Sequence, residues 1–309
     1  AAEQPQLDAV VAFAERAFRR PLSREERESI RRFHGESRER ERLSHEDALR
    51  DTLVSVLMSP HFLYRVDQAS AGSGVVALGD FDLASRLSYF LWAGMPDSVL
   101  LESARKGELH RTEVLVAQTR RMLRDPRSRG LATEFFSNML DVRRFEEHNS
   151  VDRGRFPSFD DELRRSMYEE PIRYFLDVVV NDRPIRELIA GRHTFVNASL
   201  ARHYGLPFNG KSPDDWVRVE NVRDVGRGGL LPMAVFLTKN SPGLRTSPVK
   251  RGYWVVRRLL GEHIPAPPNN VPDLPNDEAK LGNLTLREML EKHRSDVNCS
   301  ACHQRFDPI

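Results

Sequence analysis

The sequence predicts a mainly α protein: a multi-helix, orthogonal bundle-like array with at most a minor short β ladder and long loops. Three observations carry this expectation. Apolar residues recur at helical spacing through most of the chain, helix-start signals precede several of those runs, and strand signals are sparse. In chain order, Ser23 with Glu26 forms a capping box, and Ser44 with Asp47 is an acidic relative of it. Leu49, Leu53, Val56 and Leu57 then keep helical spacing until Pro60 stops the run. The alternating Arg and Glu of residues 24–50 read as a solvated helix surface laced with ion pairs.

A small-residue loop, Ala69 to Gly74, marks a module boundary. Beyond it Leu83, Leu87, Phe90 and Leu91 form an apolar stripe that Asp80 is placed to cap. Thr112 to Arg124 and Leu131 to Leu140 continue the helical pattern. A longer helix is expected from Ser158 to about Asn181, kinked or divided at Pro171. Only Thr194-Phe195-Val196 and Trp216-Val217-Arg218-Val219 read as strands, short enough for at most a small ladder. The last third changes texture. Gly226-Arg227-Gly228-Gly229 precedes the apolar run Leu230 to Leu237, and a polar, turn-rich loop leads into a helix with Tyr253, Trp254 and Val256. A proline-rich connector, Ile264 to Pro272, favours extended polyproline II. Thr285 and Glu288 then cap a short helix carrying Leu286, Met289 and Leu290. The expected modules are 1–68, 75–210 and 211–309.

Composition narrows the function. The 309 residues carry 47 Lys plus Arg against 45 Asp plus Glu, a net charge of +2. That balance argues against nucleic-acid binding, which calls for a domain-wide basic excess. No run of about 18 apolar residues is present, so no membrane span is expected. Two cysteines are too few for a disulfide scaffold, but their placement is informative. Cys299-Ser300-Ala301-Cys302-His303 is the C-x-x-C-H pattern of c-type haem attachment. Residues three and four apart share a helix face, so two thiols can form thioethers to one haem while His303 ligates its iron.

Three other readings of the cluster compete. A zinc site needs a fourth ligand, which His293 or Asp307 would supply, and lacks the usual second pair. A thioredoxin-like redox pair expects a β-α-β setting, which the helical surroundings do not offer. An inert or disulfide-bonded pair needs no cofactor. If haem is bound, candidate second axial ligands on chemical grounds are His293, Met289 and Met233, although both methionines also suit apolar packing. The chain ends six residues after His303, so it is expected to be a fragment of a longer parent. Arg245 and Lys250, with Arg251, concentrate charge in the loop around Asn240, Thr246 and Ser247. There they suit haem propionates, an anionic substrate, or a purely structural role. His61 is read as structural at a helix end, and His203 and Tyr204 as packing or capping residues. Glu169 and Glu170 adjoin on a helix, point apart, and make a poor acid/base pair.

The chain also resembles the planctomycete-type proteins that join cytochrome-c-like segments to several domains of unknown function. Ala17-Phe18-Arg19-Arg20-Pro21-Leu22-Ser23 is similar to the start of the first module. Leu57 to Arg65 and Ala84 to Trp92 resemble hallmarks of the central one, which Phe195-Val196-Asn197 and Leu200 to Gly205 close. Leu237 to Arg251, the proline run and the C-x-x-C-H tail resemble the third. The resemblance implies an exported, periplasmic or otherwise extracytoplasmic protein bearing one covalent haem c at Cys299, Cys302 and His303. It implies a redox partner or further domains of the parent chain, and a possible polysaccharide ligand, and it brings no other catalytic residue. Electron transfer or oxidation is the leading expectation, with peroxidase-like activity if an iron position is open. The alternative is a non-catalytic helical scaffold or binding module.

Overall fold

A computed structural model describes residues 3–65, 67, 74–147, 151–265, 277, 284–295 and 297–306. The expected boundary loop, Gly74 apart, and the proline run past Pro265 lie outside these residues, as does Asp307. The chain forms two compact units, Ala1–Leu131 and Ala132–Ile309. No helix among the described residues is long and apolar enough to cross a membrane.

The first unit opens with α1 (Glu3–Ala17), α2 (Arg24–Glu39), α3 (His45–Met58) and the single turn α4 (Pro60–Leu63). Val11, Ala14, Ala17, Leu22 and Val56 form their shared core. The capping box starts α2 as expected: the Glu26 N–H donates to Ser23 Oγ and the Ser23 N–H to the Glu26 carboxylate, at 3.1 and 2.8 Å. Glu26 also accepts a forked pair of bonds from Arg20, which holds its carboxyl down at about 2. Three further helices follow, α5 (Asp80–Trp92), α6 (Ser98–Arg105) and α7 (Thr112–Leu123), around Ala84, Leu91, Trp92, Leu100, Leu109 and Met122. Asp80 does not cap α5. Gly79 holds that position, and the Asp80 carboxylate accepts instead from the Leu109 N–H at 2.8 Å, tying α5 to the turn before α7. Phe90 faces outward, because Ala84, Ser88 and Leu91 define the buried face.

Arg19 explains why two distant sequence motifs occur together. Its backbone is left-handed (φ 61°) and its side chain is buried. The guanidinium donates to the carbonyls of Ala17, His61, Phe62 and Tyr64 at 2.7 to 3.4 Å, capping the open end of α4. Arg19→Lys presents one ammonium to a cradle shaped for a planar fork. It is expected to cost about 1–2 kcal/mol, because carbonyls that are mostly part-buried lose their partner. Urea unfolding measures this, and a loss below about 0.5 kcal/mol, the range of ordinary surface changes, contradicts the capping role.

The second unit is organised by α9 (Asp161–Val180), against which α10 (Glu187–Ala190), β1 (Thr194–Val196), α11 (Ala198–Tyr204) and α12 (Ala234–Lys239) all pack. Preceding α9 is α8 (Arg129–Met139). Pro171 does not divide α9, which runs through it unbroken. Pro171 is buried together with Glu170, Ile172 and Tyr174, so packing on several sides offsets the lost backbone hydrogen bond. β1 pairs antiparallel with β2 (Val217–Val219), Phe195 opposite Arg218, and this is the only sheet among the described residues. The glycines at 228 and 229 have φ of 102° and 72°, and a Cβ on either meets a carbonyl oxygen of Gly191 or Ile189 within 2.4 Å. They let the chain lie against 188–191, where the Leu230 N–H donates to the Leu188 carbonyl. The unit closes with α13 (Pro248–Trp254), a π-helical turn Val255–Leu259, α14 (Leu286–Arg294) and α15 (Val297–Phe306).

Candidate functional site

Cys299, Cys302 and His303 all lie on α15, so the three residues follow one another on adjacent turns of a single ten-residue helix. The two cysteine side chains, and that of His293, lie outside the described residues. His303 is 9% exposed, with its ring 4.8 Å from that of Phe306. Phe306 joins Val256 and Ile264 in a small core that Val249 and Tyr253 flank. Gly252 makes the contact between α13 and α15 possible: a Cβ there falls 2.1 Å from the Phe306 carbonyl oxygen. α14 also packs on α15, with Met289 buried on its face and its start capped by Thr285 and Glu288. Met233 is buried at the start of α12.

A cavity of about 560 Å³ opens elsewhere in the same unit. Its apolar wall includes Phe156, Phe159, Leu163, Met167 and Leu237, and its cations are Arg155, Arg245 and Arg251. None of the lining residues is acidic. Arg155 pairs at 3.2 Å with Asp277, and Arg245 donates to the Thr246 carbonyl. Arg251 donates to Thr246 Oγ1 at 2.6 Å and has no carboxylate partner among the described residues. Burial draws its pKa below the usual arginine value. His203, an exposed residue of the lining, is held below the usual histidine pKa by surrounding protein and then by the Arg227 charge. Lys250 is exposed on the first turn of α13 and is not part of the lining.

The buried polar centre of this unit is Glu170. Its carboxylate accepts from Thr194 Oγ1 and from Tyr204 Oη at 2.5 Å, while Tyr204 Oη accepts from the Ala234 N–H at 2.7 Å. The Arg227 guanidinium lies 4.0 Å from the Tyr204 ring centroid. Desolvation raises the Glu170 pKa to about 7, against the pull of its hydrogen bonds and of Arg227. Glu169 turns the other way and pairs with Arg173 at 2.8 Å, so the two carboxylates do point apart. Tyr204 does more than pack: it joins α9, α11 and α12 through one hydroxyl. His61 meets Phe18 at 5.3 Å between ring centroids, beside Glu26, in a packing role.

Three family models match the chain. Residues 7–67 match the protein of unknown function DUF1595, residues 78–206 match DUF1592, and residues 227–309 match DUF1588. The chain carries three domains of the planctomycete cytochrome-c-associated kind. Comparison with curated proteins and with solved structures gave no match.

Within the chain, α12 to α15 belong to the DUF1588 match, together with Arg245, Arg251 and the C-x-x-C-H helix. Glu170, Tyr204 and most of the apolar cavity wall belong to the DUF1592 match. The cavity therefore draws residues from both. Sequence reasoning finds Arg245 and Arg251 but misses Arg155, Phe156, Phe159 and Met167, which lie about 80 to 95 residues upstream and form no local pattern.

Proposed function

We propose that this chain is the haem-c-bearing part of an exported protein acting in extracytoplasmic electron transfer or oxidation. The observation that supports the reading is one helix, α15, holding two cysteines and a histidine at i, i+3 and i+4. The donor chemistry fits: thiols form thioethers to haem vinyl groups, and an imidazole is the usual proximal ligand. Cys299 and Cys302 would hold the group and His303 would ligate its iron. The group would supply a one-electron centre. His303 is already buried beside Phe306, and burial of that kind tunes a potential. Gly252 lets α15 lie close against α13, so the attachment helix is braced by packed structure.

Attachment of haem c takes place outside the cytoplasm, so the parent chain would be exported. Purified from cells equipped for c-type haem maturation, the protein is expected to show a haem absorbance that changes reversibly on reduction and reoxidation. His303→Ala is expected to alter the spectrum and potential while the haem stays attached through the cysteines. A purified protein without haem absorbance overturns the reading.

A further inference from the structure

The cavity beside α13 has no described residue of the cysteine helix in its lining and has a chemistry of its own. Its wall is apolar and partly aromatic, its charged members are three arginines, and no acid lines it among the described residues. Cavities of 300–1,000 Å³ with an apolar wall and a few convergent polar groups are the usual form of a small-ligand site. The cations differ in their circumstances. Arg155 is engaged by Asp277, a half-exposed pair at the edge. Arg251 bonds the neutral Thr246 hydroxyl, meets no carboxylate among the described residues, and is partly withdrawn from water. A desolvated guanidinium without a counter-charge is costly, and an anion placed on it recovers that cost.

We propose that this cavity binds an aromatic carboxylate, with the carboxylate on the Arg251 guanidinium and the ring against Phe156, Phe159 and Met167. The planar, forked guanidinium matches a carboxylate bidentately. The single charge on Arg251 is matched by a singly charged group, which favours a carboxylate over a phosphate dianion at that residue. The two phenylalanines and the thioether suit a flat ring through stacking and sulfur–aromatic contact. Thr238 holds the Met167 sulfur at 3.9 Å, fixing one side of that wall. Surrounding protein, and then the Arg227 charge, shift His203 towards its neutral form, a hydrogen-bonding group at the lining.

The proposal does not depend on haem, so binding is expected alike in the haem-loaded protein and in the Cys299→Ala/Cys302→Ala protein. Isothermal titration with 2-naphthoate, its uncharged isostere 2-naphthamide, and inorganic phosphate decides it. Saturable binding of naphthoate is expected, at least tenfold tighter than the amide, with phosphate failing to compete. Arg251→Gln is expected to weaken naphthoate at least tenfold, whereas Arg258→Gln, exposed and outside the cavity, leaves it unchanged. The naphthoate–naphthamide comparison needs no variant, so it stands even if Arg251→Gln folds poorly. Equal binding of acid and amide, no saturable binding, displacement by phosphate, or a folded Arg251→Gln protein that binds like the parent each overturns the proposal.

Discussion

Gly252→Ala is expected to lift α15 from α13. A glycine within a helix costs about 1 kcal/mol relative to alanine, so on propensity alone the substitution stabilises α13. The contact reverses the sign. A new Cβ would stand 2.1 Å from the Phe306 carbonyl oxygen and 3.0 Å from its carbon, and both are backbone atoms that cannot rotate away. Relief requires α15 to move as a body, which breaks the Phe306 packing on Val256 and Ile264 and uncovers His303. Overpacking of this kind costs about 1–3 kcal/mol. Hydrogen exchange is expected to quicken through 248–259 and 297–306 and to stay unchanged in the first unit. Gly35 supplies the control: it lies in α2, where an added Cβ meets nothing within 4 Å, so Gly35→Ala is expected to stabilise by up to about 1 kcal/mol. Unchanged exchange around 297–306 in Gly252→Ala would show that the close approach does not hold α15.

Glu170→Leu is expected to cost about 3 kcal/mol or more, since it strands the Thr194 and Tyr204 hydroxyls in a buried place. Glu170→Gln keeps the shape and separates charge from packing. The folded pKa is about 7, above the ordinary value of 4.5. Between those values the folded state holds a proton that the unfolded state has released, so stability falls as pH rises through that window. It is full below about 4.5 and levels off above about 7. One pKa unit is worth about 1.4 kcal/mol, so this group contributes a slope totalling about 3 kcal/mol. Urea unfolding from pH 4.5 to 8 is expected to show the wild-type protein losing stability relative to Glu170→Gln across that range. Parallel profiles would place the Glu170 pKa near the ordinary carboxyl value.

The features legible in the sequence are those set by neighbours in the chain. Ser23 with Glu26, Ser44 with Asp47, and Thr285 with Glu288 each cap a helix within four residues, and the two β strands pair where their short apolar runs place them. The C-x-x-C-H pattern is local in the same way. Pro171 misleads because its cost is local while its compensation comes from α11, α12 and β1 packed around α9. Glu170 shows the same limit. Its partners stand at 194 and 204, and nothing near residue 170 signals that a carboxylate is buried there. The cavity is half visible: Arg245 and Arg251 stand out in a polar loop, but the apolar wall that gives them a use comes from 156 to 167. Gly252 reads as an ordinary helix glycine until Phe306 is brought against it.

The most direct measurement is the mass of the denatured chain after expression with a c-type haem-maturation system. Thioether bonds survive unfolding, whereas a merely ligated haem is lost. One haem per chain is the predicted result, absent in Cys299→Ala/Cys302→Ala. A wild-type chain that returns at the mass of the polypeptide alone contradicts the assignment of α15 as a haem-bearing helix.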